Sequence, residues 1–167
     1  YVENGNIIVR EPLTDCEYVE FDKVGTLESF NTDGLRSILF TMPHISNMKE
    51  KTLRYPGHVD VVRALKESGF FSTQSLKVKG SEVVPLEVTS RILFNEWKLG
   101  ETEEELTVMR VTLRGMDADG KNVTVEYNLY DEYNPISQIS SMARTTGYTA
   151  TAAANMFLDG LFTERGV

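Results

Sequence analysis

Two β-rich segments, Leu106–Met116 and residues 122–130, constrain the fold of this chain more than any other feature. Both are rich in β-branched and aromatic residues, and they flank the glycine-containing turn Asp117-Ala118-Asp119-Gly120. Two such segments on either side of a short turn predict an antiparallel hairpin. Any fold proposed for the chain must therefore include an antiparallel pair of strands.

The segments outside this hairpin alternate between strand and helix patterns. Alternation or short apolar runs predict strands at residues 17–21, 47–55 and 75–79. Helical spacing predicts helices at residues 35–41, 58–68, 86–97 and 137–160, with Gly69 placed to end the second and Pro85 to begin the third. The sequence predicts an α/β (α+β) domain.

Length and composition exclude several classes of protein. A chain of 167 residues with 41% hydrophobic residues is long enough to bury one core. The net charge of −8 argues against nucleic-acid binding, which needs a positive surface, although this charge also simply favours solubility. No apolar run approaches the roughly 20 residues needed to cross a bilayer, and no signal peptide is visible. We expect no nucleic-acid or membrane partner.

The cysteine and histidine content limits disulfides and metal sites. The single cysteine, Cys16, excludes an internal disulfide and fits a reducing cytoplasm. One cysteine and two histidines cannot assemble a soft metal site, and we predict no bound metal, although a carboxylate site for Mg²⁺ stays open. The chain begins at Tyr1 within a turn and strand pattern and ends at residues 165–167 directly after a helical pattern. We therefore expect a domain excised from a longer polypeptide.

The sequence KTLRYPGH, residues 51–58, is the densest polar cluster on a predicted strand. Arg54 offers a planar fork of donors that suits a carboxylate or phosphate, and Tyr55 adds a hydroxyl and a ring face. His58 begins the next helix, where an imidazole can titrate near neutral pH. These residues also have simpler interpretations, because a strand-end arginine is often a surface ion-pair partner and a histidine that opens a helix is often just exposed.

Two further clusters are candidates for ligand binding. Arg144-Thr145-Thr146-Gly147 precedes a run of small residues and predicts an anion-binding helix start, or alternatively a helix kink with surface hydroxyls. Asp33-Gly34 is the third candidate, although Asp-Gly is also a common turn. The sequence contains no GxGxxG, GxxxxGK[ST], GxSxG or HExxH motif, so it offers no recognisable dinucleotide loop.

Four stretches together resemble the substrate-binding domain of the saccharopine dehydrogenase family, which includes saccharopine reductases and lysine 6-dehydrogenase. They are VGTLESFNTDGL (residues 24–35), MKEKTLRYPGHVDVVRALKESGFF (48–71), the central hairpin, and MARTTGYTATAAANMFLDG (142–160), and they extend across nearly the whole chain. TLRYPGH, followed by a helix that ends in Gly-Phe-Phe, is the most specific of them.

This resemblance implies a two-domain oxidoreductase. Family members bind NAD or NADP in an N-terminal Rossmann domain, which this chain lacks. Their second domain resembles the C-terminal domain of glyceraldehyde-3-phosphate dehydrogenase, with a mixed sheet and helices on one face. It binds the amino-acid substrate and makes the homodimer contact. The resemblance thus implies that residues 1–167 are a substrate-binding and dimerisation domain.

The resemblance also gives expected roles to particular residues. Arg54 matches the family's arginine in the TLRY motif, so it is expected to hold the substrate carboxylate. Tyr55 and His58 are expected to line the same pocket. The stretches around Asp33-Gly34 and Arg144-Thr145 match family stretches near the cleft between the domains. No residue is a secure general acid or base.

The expected activity is hydride transfer between NAD or NADP and the amine-bearing carbon of saccharopine, lysine or another amino acid. The isolated domain is expected to be inactive, because the cofactor would bind elsewhere. Two other interpretations stay open: a non-catalytic amino-acid-binding or dimerisation module that kept the fold, and a stand-alone amino-acid sensor.

Overall fold

Turn residues and apolar spacing divide the chain into strands and helices much as the sequence predicts. The computed structural model describes residues 1–100 and 102–164, so the predicted chain end at 165–167 lies outside the described residues. The strands are β1 (Val2–Glu3), β2 (Asn6–Ile7), β3 (Glu17–Phe21), β4 (Gly25–Asn31), β5 (Lys51–Arg54), β6 (Leu76–Val78), β7 (Ser81–Val83), β8 (Leu106–Met116) and β9 (Asn122–Glu132). The helices are α1 (Ile38–Thr41), α2 (His58–Glu67), α3 (Pro85–Glu96) and α4 (Ser141–Leu158).

The chain divides into two units, the first comprising Tyr1–Trp97 and the second beginning at Lys98. The first unit contains a three-stranded antiparallel sheet in the order β3-β4-β5, two small hairpins (β1-β2 and β6-β7) and helices α1 to α3. The second unit contains the long β8-β9 hairpin and α4. Each unit thus has its own β-sheet.

Strand β4 is the centre of the first unit. A tight turn with Lys23 and Gly25 in the left-handed region, at φ 70° and 86°, returns the chain from β3 into β4. The residues from Leu27 to Asn31 are all buried, so both faces of this strand are covered. Leu27 and Phe30 form the core together with Val59 of α2, which is fully buried.

Burial on both faces forces the polar residues of β4 to find partners. The Asn31 side-chain nitrogen donates to Thr14 Oγ1 at 2.9 Å and to Asp15 Oδ2 at 2.8 Å, while its oxygen accepts from the Tyr1 hydroxyl. The Ser29 hydroxyl donates to the Glu17 carbonyl at 3.2 Å. The face of β4 that carries Ser29 and Asn31 is therefore satisfied within the protein.

The β8-β9 hairpin has one apolar and one polar face. Its register places Val111 opposite Tyr127 and Leu113 opposite Val125 on one face. The other face carries Arg110 and other polar residues, with Thr112 opposite Glu126 and Arg114 opposite Thr124. At the turn, the Asp117 carboxylate accepts from two backbone amides, those of Asp119 at 3.0 Å and Lys121 at 2.9 Å. The alternation that predicts the hairpin from sequence also separates its two faces.

Helix α4 is attached to the base of this hairpin through its N-terminal turn. The buried Ser141 hydroxyl bonds Thr107 Oγ1 at 2.9 Å. The Ser140 side chain caps the helix by accepting from the Ala143 amide at 3.1 Å. The Glu105 carboxylate accepts from the amides of Ser141 and Met142, which would otherwise lack partners. An acidic side chain at this end also stabilises the helix dipole.

The predicted α+β class is confirmed, with one difference in arrangement. The strand pairs that the structure describes are all antiparallel and lie in four small sheets rather than in one mixed sheet. The connections explain the antiparallel direction of four of the five described strand pairs, all except β4-β5. Short turns join β1 to β2, β3 to β4, β6 to β7 and β8 to β9, and a short turn can join only antiparallel neighbours.

Replacing Glu105 with alanine should lower the free energy of unfolding by about 1 kcal/mol, because two amides at the start of α4 lose their acceptor. Urea unfolding followed by circular dichroism measures the change. Glu104→Ala is the matched control, since it removes the same charge from an exposed neighbour. Equal midpoints for the two variants would show that Glu105 does not cap α4.

Candidate functional site

The KTLRYPGH motif lies where β5 meets α2. Strand β5 ends at Arg54, and Gly57, at φ 94°, turns the chain into α2, which begins at His58. A residue with a side chain is strained at this φ, so glycine suits the turn. Arg54 and Tyr55 are exposed, Tyr55 at 60%. The sequence prediction of a strand, a turn and a helix across this motif is confirmed.

Arg54 has a guanidinium that engages no acidic side chain among the described residues. Its Nη1 donates to the carbonyl of its neighbour Leu53 at 2.7 Å. This single bond leaves most of its donors available for a ligand. The simpler interpretation of Arg54 as a surface ion-pair partner is therefore not supported by the described part of the chain.

His58 is half-buried and lies beside two aromatic rings. Its ring centroid lies 6.4 Å from that of Phe30, with a 22° angle between the planes, and 6.0 Å from that of Trp97. Burial lowers the pKa of His58 below its usual 6.5, the positive charge of Arg54 lowers it further, and the Glu28 carboxylate opposes both effects. The imidazole is therefore mostly neutral at pH 7 and keeps a nitrogen lone pair that can accept a hydrogen bond.

Glu28 completes the cluster, and sequence reasoning missed it. The β4-β5 register places Glu28 directly opposite Arg54, so both side chains leave the same face of the sheet. Glu28 is only 7% exposed, and its Oε2 has no hydrogen-bond partner among the residues the structure describes. The one signal in the sequence was that apolar residues do not alternate strictly in Leu27–Asn31, which is typical of a strand buried on both faces. This signal identifies Glu28 only once the β4-β5 register is known.

Asp33 and Gly34 follow β4 but have local roles in the structure. Asp33 is exposed and forms an ion pair with Arg36 at 3.7 Å. A Cβ at Gly34 would overlap the Glu50 side chain, which accepts a hydrogen bond from Thr32 Oγ1 at 2.7 Å. Glycine at position 34 therefore makes room for the Thr32-Glu50 contact.

Arg144 and Thr145 lie in the second unit, inside the first turns of α4. The sequence predicts a helix over residues 137–160, and α4 begins at Ser141, so Arg144-Thr145-Thr146-Gly147 lies inside the helix rather than at its start. The physical reason is the strong N-cap at Ser140, which outweighs the low helix propensity of the following threonines and glycine. Thr145 bonds back to the Ser141 carbonyl at 2.9 Å, within the helix.

The Arg144 guanidinium joins α4 to β9. Its Nη2 contacts both oxygens of Asp131, at 2.6 and 2.7 Å, and the Glu132 carbonyl at 2.5 Å. This hydrogen bond from Arg144, with a second from Ser141, holds the pKa of Asp131 below its usual value. The Glu105 carboxylate occupies the amides at the helix start. An external anion would have to displace these internal partners.

The described residues contain no group of three histidine, cysteine or acidic residues that could hold a metal ion. In the same part of the chain, no helix is both long enough and apolar enough to cross a membrane.

The fold also lacks the usual elements of a dinucleotide site. Such a site needs parallel strands around a glycine-rich turn into a helix, whereas the described strand pairs are antiparallel and the sequence has no GxGxxG. The residues described do not fit NAD or NADP.

The sequence model of the saccharopine dehydrogenase C-terminal domain matches residues 1–167, the whole chain. The chain therefore belongs to the saccharopine dehydrogenase family and corresponds to the C-terminal domain of its members. The family is one of oxidoreductases that are generally NAD(P)-dependent. The resemblance identified from TLRYPGH and the three other stretches is confirmed.

Replacing Arg144 with alanine should destabilise the protein at neutral pH, because Asp131 loses its ion pair. A carboxyl whose pKa is lowered by folding contributes stability above its unfolded-state pKa of about 3.9, and that stability is lost as the pH falls through the folded value. The difference between wild type and variant should shrink below about pH 4. Thermal unfolding from pH 7 to pH 3 measures it, with exposed Arg114→Ala as the control. A difference that does not change with pH would contradict the role of Asp131.

Proposed function

We propose that this domain binds the carboxylate of an amino-acid substrate through Arg54 in an NAD(P)-dependent oxidoreductase that acts on an amine or imine of saccharopine or lysine. The observation that carries the proposal is the exposed Arg54 guanidinium, whose sole hydrogen bond among the described residues is to the neighbouring Leu53 carbonyl. A guanidinium can bind both oxygens of a carboxylate, which fixes direction as well as position. The family membership supports the same assignment.

Tyr55 and His58 complete the proposed binding surface. The neutral His58 imidazole, stacked against the buried Phe30 ring, offers an acceptor beside the cation. Exposed Tyr55 offers a hydroxyl and a ring face. Fixing the carboxylate in this setting orients the rest of the substrate, and orientation alone can contribute several kcal/mol to catalysis.

The remaining parts of the proposed enzyme lie outside the described site. A Rossmann domain of the same polypeptide would bind NAD or NADP, since the described residues do not suit it. We propose a cytoplasmic protein, which fits the single, exposed cysteine. Asp33, Gly34, Arg144 and Thr145 have internal contacts, so their proposed proximity to the substrate depends on family position alone.

Replacing Arg54 with alanine in the full-length polypeptide should raise KM for lysine or saccharopine about 10- to 100-fold, because a hydrogen-bonded charge pair is lost. The KM of Arg54→Lys should lie between those of wild type and Arg54→Ala, since an ammonium keeps the charge but not the planar fork. Steady-state reduction of NAD⁺ or NADP⁺ with each amino acid measures the effect. Arg91→Ala removes an exposed arginine from α3 and should leave KM unchanged. Unchanged kinetics for Arg54→Ala would contradict the proposal.

We also propose that the domain forms a homodimer through the apolar face of the β8-β9 hairpin. Members of this face remain exposed, Leu113 at 50% and Tyr127 at 61%. The hairpin is a two-stranded sheet, so each strand also has an open edge that can pair with another copy. Exposed apolar faces of this kind usually mark interaction surfaces.

The same surface would serve the main alternative, a non-catalytic binding or dimerisation module that kept the fold. The two functions differ in one respect: only the oxidoreductase should turn over an amino acid with NAD⁺ or NADP⁺. Dimerisation without turnover, for any amino acid tested with the full-length polypeptide, would favour the module.

A charge on the apolar face of the hairpin should weaken the dimer. Val125→Arg places a cation opposite Leu113, and burying it at an interface would carry a large desolvation cost. Sedimentation velocity should show a shift from dimer to monomer at micromolar concentration. Thr124→Arg introduces the same residue on the polar face and should leave the dimer intact. Equal behaviour of the two variants would place the interface elsewhere.

A further inference from the structure

Among the described residues, Glu28 is the one whose side chain has a buried polar atom, the carboxylate oxygen Oε2, with no hydrogen-bond partner. Its side chain leaves the middle of the central strand β4 and is more than nine-tenths buried. A carboxylate oxygen removed from water without a donor costs several kcal/mol, so such groups are rare in native proteins. A donor from outside the described residues is therefore expected at this position.

The neighbours of Glu28 limit what this donor can be. Across the sheet, Glu28 lies between Tyr18 of β3 and Arg54 of β5. His58 is close enough for the Glu28 charge to act on it. Oppositely charged residues at directly paired positions usually form an ion pair. Here the Arg54 guanidinium donates instead to the Leu53 carbonyl, which leaves Glu28 Oε2 without a described donor and most of the guanidinium donors available.

A metal ion does not suit this arrangement. Protein sites for divalent cations usually gather several oxygen or imidazole ligands, and the described residues contain no group of three histidine, cysteine or acidic residues that could hold such an ion. A ligand with only negative groups does not suit it either, because Glu28 would repel the anion that Arg54 attracts. The ligand that satisfies both residues carries a positive and a negative group close together.

We infer that Glu28 accepts hydrogen bonds from the α-ammonium group of the amino acid whose carboxylate Arg54 binds. This inference rests on the proposed function of Arg54. In an α-amino acid the two charged groups are attached to the same carbon, which matches an acidic and a basic side chain on adjacent strands of one sheet face. The ligand is inserted between the two residues and neutralises both.

Burial makes this contact selective as well as favourable. A charge-assisted hydrogen bond gains strength in a low-dielectric site, and a buried acceptor left unpaired is costly. A ligand that has the carboxylate but not the α-amino group would leave Glu28 without a donor. Sites built in this way reject the analogue that lacks the hydrogen-bonding group far more strongly than purely apolar pockets do.

The test compares lysine with 6-aminohexanoate, which is lysine without its α-amino group, by calorimetric titration of the full-length polypeptide. Wild type should bind lysine about tenfold or more tightly than 6-aminohexanoate. Glu28→Gln should weaken lysine binding about tenfold and change 6-aminohexanoate binding less than twofold. Glu67→Gln, an exposed position at the end of α2, is the control and should change neither.

The outcomes separate this inference from the proposed function. If Arg54→Ala weakens both ligands but Glu28→Gln affects both equally or neither, the Glu28 inference is overturned and the carboxylate role of Arg54 stands. If Arg54→Ala affects neither ligand, or if wild type binds neither, the proposed function fails and the inference fails with it. If Glu28→Gln does not fold, wild type still decides, because a preference for lysine below twofold overturns the inference.

Discussion

The burial of β4 on both faces is the constraint on which the rest of the first unit depends. A central strand with no exposed face must satisfy every polar group it carries, and the structure does this on one face only. Asn31 bonds Thr14, Asp15 and Tyr1 there, and this network ties the start of the chain to the sheet. On the opposite face, Glu28 keeps an oxygen without a described donor. One face of the strand is stabilised by internal bonds, and the other remains chemically incomplete.

Internal carboxylate partners distinguish Arg36 and Arg144 from Arg54. Arg144 holds Asp131, and Arg36 pairs with Asp33, so each of these cations already has a carboxylate. Arg54 has a backbone carbonyl alone among the described residues. A guanidinium that already holds a carboxylate stabilises the fold, and a ligand must compete with that contact. Availability beside His58 and opposite Glu28, together with its position in the TLRY motif, makes Arg54 the carboxylate anchor in our proposal.

Local patterns predicted most of the elements because those elements depend on local chemistry. The hairpin follows from β-branched alternation around Gly120, α2 ends before Gly69, and α3 begins at Pro85. Helix α4 lies within the predicted range 137–160, but the cap at Ser140 begins it before Arg144, so Arg144 is not at an open helix start. The family resemblance implied one mixed sheet, so it could not predict that the strands pair in separate antiparallel sheets.

The site was predicted in part for a similar reason. Arg54 and His58 are near each other in sequence, so the strand, turn and helix that hold them were visible in one motif. Glu28 lies 26 positions before Arg54, and only the β4-β5 register brings the two together. Its burial depends on what covers the sheet face, which no local pattern encodes.

The ligand contact that we infer for Glu28 gives a reason for a side chain that lowers the stability of the free protein. Replacing a buried, unpaired carboxylate with a neutral group is often neutral or stabilising, so fold stability alone gives no reason for this residue. A ligand that supplies the missing donor recovers that cost on binding, and the recovered free energy contributes to affinity only when the donor is present. The Glu28 carboxylate is unpaired in the free protein and, by our inference, gains a donor in the complex. An amino acid supplies this donor and the corresponding carboxylic acid does not, so the site should bind the amino acid selectively.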